Sequence, residues 1–342
     1  MTAQRILIKV ILVWAFLGLI NEFYLRSGMH RSDLETLGAT LHLRLDSLER
    51  SHDILYFAES SNATFSEEDY DHRSISELLA ERLPDHHIGT IERGAIHAST
   101  FLALIRRIKT SSSVRTVVVT MNLRSFGADW IESSLESEIA QDNVMYSYYP
   151  ALVKRLLCAA GGYDNKEKML RKMYREYHWR TDALPEFTGA THVRQWEKLV
   201  AAKRSSATEF NDTASVSLAK TYVRSYGFMI DTCSNPRIVD FDALVEVCRK
   251  QKLQLIFNLL PENMQTAGTL VGPELTRLMQ LNGDLLKSRY TKKGVRVVDN
   301  LNAVEGSDFV DQNWTTEHYN QRGRRIIANQ LKTAFIPDKE PD

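Results

Sequence analysis

Neither sign of charge dominates this chain: 43 lysines and arginines stand against 43 aspartates and glutamates in 342 residues. A whole-chain electrostatic pull toward nucleic acid is absent, and no nucleic-acid partner is expected. Arg322, Arg324 and Arg325 form a local basic cluster, which at helical positions reads as a solvated face. Cysteine is scarce. Cys158, Cys233 and Cys248 contain no CxxC pair, so the usual zinc and thioredoxin-like patterns are excluded and no metal site is expected. An odd count leaves at least one thiol unpaired. Three buried thiols are one reading, and a Cys233–Cys248 disulfide in an oxidising compartment is the other. Internal repeats and long low-complexity tracts are also missing. With 43% hydrophobic and 25% charged residues, the composition fits neither a disordered nor a fibrous chain. The length suits one globular domain carrying an insertion, or two small domains.

A long apolar run is present at one place. Ile6 to Ile20 is apolar except for Lys9, and extension to Tyr24 gives about 20 residues, about the length that spans a bilayer. Arg5 and Lys9 keep the N-terminus inside by the positive-inside rule. Residues 1–28 are therefore expected to form a single-pass anchor with the main domain extracytoplasmic. A cleaved signal peptide and a buried helix are the alternatives, although Asn21-Glu22-Phe23-Tyr24 offers no small-residue cleavage site. Residues 29–51 follow as a helical stalk. Leu34, Leu37, Leu41, Leu45 and Leu48 recur at steps of three and four from Ser32 to Ser51, one apolar face that packs on the domain or on a second copy.

Element types then alternate. Strands are expected at Asp53–Phe57, His87–Ile91, Arg115–Met121, Leu253–Leu260 and Gly294–Val298. Helices are expected at Ile75–Leu83, from a Ser99 cap to Ile108, at Pro273–Tyr290 and at Tyr319–Phe335. This is the pattern of an α/β fold, a mostly parallel sheet with helices on both faces, spanning 52–126 and 253–336. Residues 127–252 interrupt it as a mainly helical insertion rich in aromatics, expected to pack over the strand ends.

Ligands of open parallel sheets bind beyond the carboxyl ends of the strands. Each such end carries polar residues here: Glu59-Ser60-Ser61-Asn62, Arg93-Gly94-Ala95-Ile96-His97, Asn122-Leu123-Arg124 and Pro261-Glu262-Asn263, with Asp311 to His318 ahead of the last helix. A serine just past a buried strand is held rigidly and becomes a nucleophile once a base takes its proton. Ser60 and His318 are the candidate pair. Ser60 N–H with Gly94 N–H or the Asn122 side chain forms the candidate oxyanion site, and Asn62 and Arg124 are further candidate substrate contacts. Taken singly, these residues also serve as caps and strand-end hydrogen bonders.

Together they resemble the SGNH (GDSL-like) hydrolases. The stretch Leu55-Tyr56-Phe57-Ala58-Glu59-Ser60 matches the strand and nucleophile block, with Ala58-Glu59 in place of Gly-Asp. Gly94 is the nearest match to the second-block glycine and Asn122 to the third-block asparagine. His318, followed by Asn320 and Gly323, matches the histidine before the last helix. The likeness covers roughly residues 53–126 and 253–335. It implies a flavodoxin-like three-layer fold and a Ser–His mechanism requiring no cofactor. An N-terminal membrane helix with an outward domain is similar to relatives acting in O-acylation of cell-surface polymers, such as lipoteichoic-acid D-alanylation and alginate acetylation. That likeness implies an acyl-ester or carbohydrate substrate and a membrane-bound acyltransferase partner. The family's aspartate, three residues before the histidine, is replaced by Thr315, so Asp311, Glu317 or Glu262 is expected to orient the imidazole, or none does.

Three functions follow. The first is a serine-dependent esterase or O-acyltransferase working outside the cytoplasm. The second is a non-catalytic binding or assembly component that keeps the fold within an envelope-polymer pathway. The third is carboxylate chemistry at the same rim through Glu59, Glu262 or Glu317.

Overall fold

The computed structural model describes residues 3–164, 166–205 and 213–336. Five strands form one sheet: β1 (Ile54–Ala58), β2 (Ile88–Glu92), β3 (Thr116–Met121), β4 (Gln254–Leu259) and β5 (Arg296–Asp299). Their order is β2-β1-β3-β4-β5 and every neighbouring pair is parallel. The helices are α1 (Ala3–Arg26), α2 (Met29–Thr36), α3 (Leu41–Leu48), α4 (Ile75–Arg82), α5 (Ala98–Ile105), α6 (Ala128–Ile131), α7 (Leu135–Tyr146), α8 (Ala151–Ala159), α9 (Lys168–Thr181), α10 (Val193–Ser205), α11 (Thr213–Tyr226), α12 (Pro236–Gln251), α13 (Met264–Leu270), α14 (Pro273–Lys292) and α15 (Gln321–Thr333).

Strand β1 lies between two neighbours, and all five of its residues are buried. Their side chains alternate between two cores. Leu55 and Phe57 join Val117, Val119, Leu255 and Phe257 with residues of α3, α5, α12 and α14. Ile54, Tyr56 and Ala58 join Val118, Ile256 and Val298 with Leu78 and Leu79 of α4 and Ile327 and Leu331 of α15. Each fully buried Leu, Ile or Phe contributes about 1.5–3 kcal/mol, so the two apolar layers fix β1 in place. The chain leaves β1 toward β2 on one side and returns to β3 on the other. That makes the carboxyl ends of β1 and β3 a topological switch point, where loops diverge and leave a crevice.

The expected alternation of strands and helices is present, with several differences. The 32–51 helix is broken in two: Gly38, at φ 65°, ends α2, and α3 restarts on the domain with Leu41 and Leu45 buried. The cap of α5 is His97, whose Nδ1 accepts from Ser99 N–H, so Ser99 is inside the helix. Helix α12 covers the sheet through Phe241, Leu244 and Val245, so the α/β layers resume at Pro236. All three thiols are free, and no Cys233–Cys248 bridge forms. Arg324 is not on a solvated face but fully buried in the inward stripe of α15.

Helix α1 is 24 residues long, and its apolar stretch is exposed along its length and not buried against the protein. It is long and apolar enough to cross a membrane. The end of α11 and the cap of α12 reach the loops at the carboxyl ends of the strands. Asn235 Nδ2 donates to Phe126 O at 2.9 Å, Tyr226 hydroxyl to Glu262 at 2.6 Å, and Ser225 and Thr315 hydroxyls are 3.3 Å apart. Glycine is required at 127, where a Cβ would stand 2.8 Å from the Phe228 ring.

Candidate active site

Ser60 opens a 3-10 turn, Ser60–Asn62, directly beyond β1. Its carbonyl accepts from Ala63 N–H at 3.2 Å, Thr64 N–H at 3.0 Å and Thr64 hydroxyl at 2.8 Å, which fixes the backbone and leaves the side chain at the half-exposed rim. From the other end of the chain, Phe309 and Tyr319 form an antiparallel bridge, and Val310 N–H donates to His318 O at 2.9 Å. This folds 309–319 into a narrow loop with Asp311 across from His318. The outcome is a relay between residues 258 apart in sequence: Ser60 Oγ lies 3.0 Å from His318 Nε2, and His318 Nδ1 lies 2.6 Å from Asp311 Oδ2. Thr316 hydroxyl donates to the same Asp311 oxygen. These distances are within hydrogen-bond reach for a nucleophile, a base and an orienting carboxylate.

One side chain holds the two halves together. Arg324 donates to Thr64 O at 3.1 Å, four residues after Ser60, and to Tyr319 O at 2.8 Å, next to His318. Its other bonds go to Asp69, Arg73 O and Asp71 O. Five fixed donors on one planar group suit this role. The sequence contained a signal for it: Arg324 falls on the same helical stripe as Ile327 and Leu331.

Other expected site residues go elsewhere. Glu262 does not meet His318; it is buried and accepts from Tyr226, and burial together with the Glu317 charge pushes its carboxyl well above the usual range. Thr315, at the family's aspartate position, is buried against Ser225. Asn62 is fully buried rather than facing substrate. Its amide donates to Ser76 hydroxyl at 3.0 Å and Glu92 at 2.5 Å, and its oxygen accepts from Ser76 N–H at 2.9 Å. Arg124 is likewise turned inward, donating to Glu317 at 2.8 Å with its guanidinium over the Trp130 ring. Asn122 gives its amide to Glu317 at 2.8 Å and Glu59 at 3.3 Å, so those donors point at carboxylates and not at an oxyanion position.

Gly94 does lie beside the serine: a Cβ on it would stand 4.0 Å from Ser60 Cβ. The next residue, Ala95, has φ 61°, a left-handed conformation costing of order 1–3 kcal/mol at a residue with a Cβ. The loop after β2 is thus strained where it passes Ser60. His97, further along this loop, is a link and not a reacting group. Its Nε2 meets Glu136 at 3.0 Å, and burial beside Arg237 lowers its pKa to about 4, which keeps it neutral.

Beneath the rim lies a cluster that the separate segments gave no reason to connect. Glu59 and Glu317 flank the Asn122 amide, with Arg124 on Glu317. Burial first, then repulsion from Glu317, raises the Glu59 carboxyl to about 8. The carboxylates named as candidates for rim chemistry, Glu59, Glu262 and Glu317, are all buried.

No family model and no curated protein matches the chain. Among solved structures, it is similar to an acetylxylan esterase from Geobacillus stearothermophilus at 9% identity, covering 86% of this chain and 99% of that one, with a TM-score of 0.38. It is similar to a lipase/acylhydrolase from Enterococcus faecalis at 10% identity, covering 84% and 98%, with a TM-score of 0.33. It is similar to a GDSL-like lipase from Bacteroides thetaiotaomicron at 10% identity, covering 84% and 88%, with a TM-score of 0.31.

Proposed function

We propose that the chain is a serine-dependent esterase or O-acyltransferase, anchored by α1, whose main domain acts outside the cytoplasm on acyl esters of cell-surface carbohydrate. The observation that carries this reading is the continuous Ser60–His318–Asp311 relay. In the proposed mechanism His318 Nε2 takes the Ser60 hydroxyl proton as Oγ attacks the ester carbonyl. Asp311 holds the proton on Nδ1 and stabilises the imidazolium. Ser60 N–H and Gly94 N–H face the developing oxyanion. Collapse of the tetrahedral intermediate expels the alcohol, which receives the proton from His318, and leaves Ser60 acylated. Water, or a sugar hydroxyl, then enters by the same steps in reverse. A membrane-bound acyltransferase that supplies or takes the acyl group is the expected partner.

The engagement of Asn122 favours a second reading. With its amide held by Glu59 and Glu317, the site has one fewer oxyanion donor, as a binding or assembly component that keeps the fold would tolerate. A fluorophosphonate probe separates the two. Under the enzyme reading the probe labels the wild type and not Ser60→Ala, and p-nitrophenyl acetate is turned over. Absence of both labelling and turnover in a folded protein decides for the second.

A further inference from the structure

Helix α8 is built the wrong way round for a soluble surface. Lys154 is buried, with its ammonium donating to Met145 O at 2.9 Å, while Leu156 is 58% and Val153 38% exposed. Val153, Leu156 and Ala160 follow at steps of three and four along one stripe of α8 and its C-terminal cap, and all three are exposed, as is Tyr149 just ahead of the Pro150 cap. Tyr148, just before the helix, is 73% exposed. Water is a poor solvent for such a face, and nothing else on the described chain covers it.

What lies next to α8 identifies the occupant. Asn21 of α1 accepts the Leu152 backbone N–H at 2.9 Å, satisfying one of the orphan donors in the first turn of α8. Arg155 stacks on the Tyr24 ring at 5.5 Å and pairs with Asp33. Helix α8 is thereby fixed at the level of Asn21 to Tyr24. The apolar run of α1 goes from Ile6 to Ile20, and with the turn that follows, to Tyr24, the helix covers about 28 Å at 1.5 Å per residue, close to the thickness of the hydrocarbon layer, so that this last turn lies at its edge. A spanning α1 puts Asn21 to Arg26 at the boundary, and so puts α8 there too. Exposed Phe23 and Leu25 on α1 continue the apolar surface, and exposed Arg26 and Arg31 stand at headgroup height. Tyrosines at the edge of an apolar face, with arginines beside them, suit the membrane interface.

We infer that α8 is a second membrane contact: an interfacial helix that lays Tyr149, Val153 and Leu156 into the headgroup and upper acyl region of the bilayer crossed by α1. The inference rests on the reading of α1 as a spanning anchor. Its effect is to hold the domain at a fixed tilt, so that the carboxyl rim of the sheet faces in a constant direction above the surface instead of swinging on a tether.

The test uses the full chain in nanodiscs of phosphatidylcholine and phosphatidylglycerol, doped with a phosphatidylcholine that carries a diazirine near the carbonyl end of one acyl chain. After irradiation, adducts are mapped by peptide mass spectrometry. Adducts are expected on α1 and on the Tyr148–Ala160 peptide. The double variant Val153→Asp/Leu156→Asp, altered only at exposed positions, is expected to lose the second set and keep the first, with an unchanged thermal melt. Adducts on α1 alone, or on α1 with the exposed Met169, Met173 and Tyr177 of α9 but not α8, overturn the inference and leave the anchor standing. Adducts on neither helix overturn the anchor itself.

Discussion

Replacement of Asp311 by asparagine tests the relay at its least familiar point. The carboxylate accepts from His318 Nδ1 at 2.6 Å, so it selects the tautomer whose lone pair is on Nε2, facing Ser60. An amide can present its NH2 to Nδ1 and so favour the opposite tautomer, with the proton on Nε2, which cannot accept from the serine. In a fully buried serine-protease triad the same exchange costs roughly 10⁴ in turnover. Asp311 is 37% exposed, so water shares in orienting and neutralising the imidazolium. We therefore expect a loss of about 10²–10³ in kcat/KM, or about 2.7–4 kcal/mol at 1.36 kcal/mol per decade. The assay is p-nitrophenyl acetate hydrolysis by the full chain in detergent, at a pH where His318 is neutral in both proteins. Thr315→Asp added to Asp311→Asn restores the spacing usual in the SGNH hydrolases. It is expected to give no rescue, because Thr315 is buried against Ser225 and not beside the imidazole. Activity of Asp311→Asn within about threefold of wild type, or rescue by Thr315→Asp, refutes the argument.

Glu59 makes stability depend on pH. Its carboxyl is raised from 4.5 to about 8 in the fold, so the folded state holds a proton that the unfolded state releases, and stability falls as pH rises through that window. Glu59→Gln is expected to flatten the decline, with the gap between variant and wild type growing by up to about 1.4 kcal/mol per pH unit in urea unfolding, and an unchanged slope counts against the buried cluster. Asn62→Ala removes three buried hydrogen bonds and is expected to cost about 2–4 kcal/mol in urea unfolding; a raised KM with no loss of stability would restore it as a substrate contact. Arg324→Met is expected to cost about 3–5 kcal/mol by leaving Asp69 without its counter-ion and several carbonyls without this donor, and an undiminished melting temperature would show that the two loops need no such tie.

Legibility from sequence followed the range of the interactions involved. The strands were visible because β-branched runs such as Thr116–Met121 are buried on both faces and leave no polar alternation. Ser60 and His318 were visible because one follows a buried strand and the other precedes an amphipathic helix, both local properties. The residues alone leave the partner of His318 open among Asp311, Glu317, Glu262 or none. The choice depends on the Phe309–Tyr319 bridge, a pairing across a loop that carries no periodic signal. The leucines from Leu34 to Leu48 keep helical spacing straight through Gly38, and only the left-handed backbone there reveals two helices. Asn62, Asn122 and Arg124 were placed at the right strand ends, but position does not tell which way a polar side chain turns. Glu92 and Ser76 take the first, Glu59 and Glu317 the second, and Glu317 with Trp130 the third. Those partners come from elements distant in sequence.

On the proposed reading the nucleophile, Ser60, stands just past the first strand and the base, His318, stands after the last. A ribosome that has just released Asp299 has already delivered all five strands, and with them the serine, yet it has made no general base. Reactivity therefore arrives late in the life of the nascent chain, when the loop carrying Asp311 and His318 has emerged and α15 has docked through Arg324. A product that terminates early displays a serine as inert as any other on a protein surface.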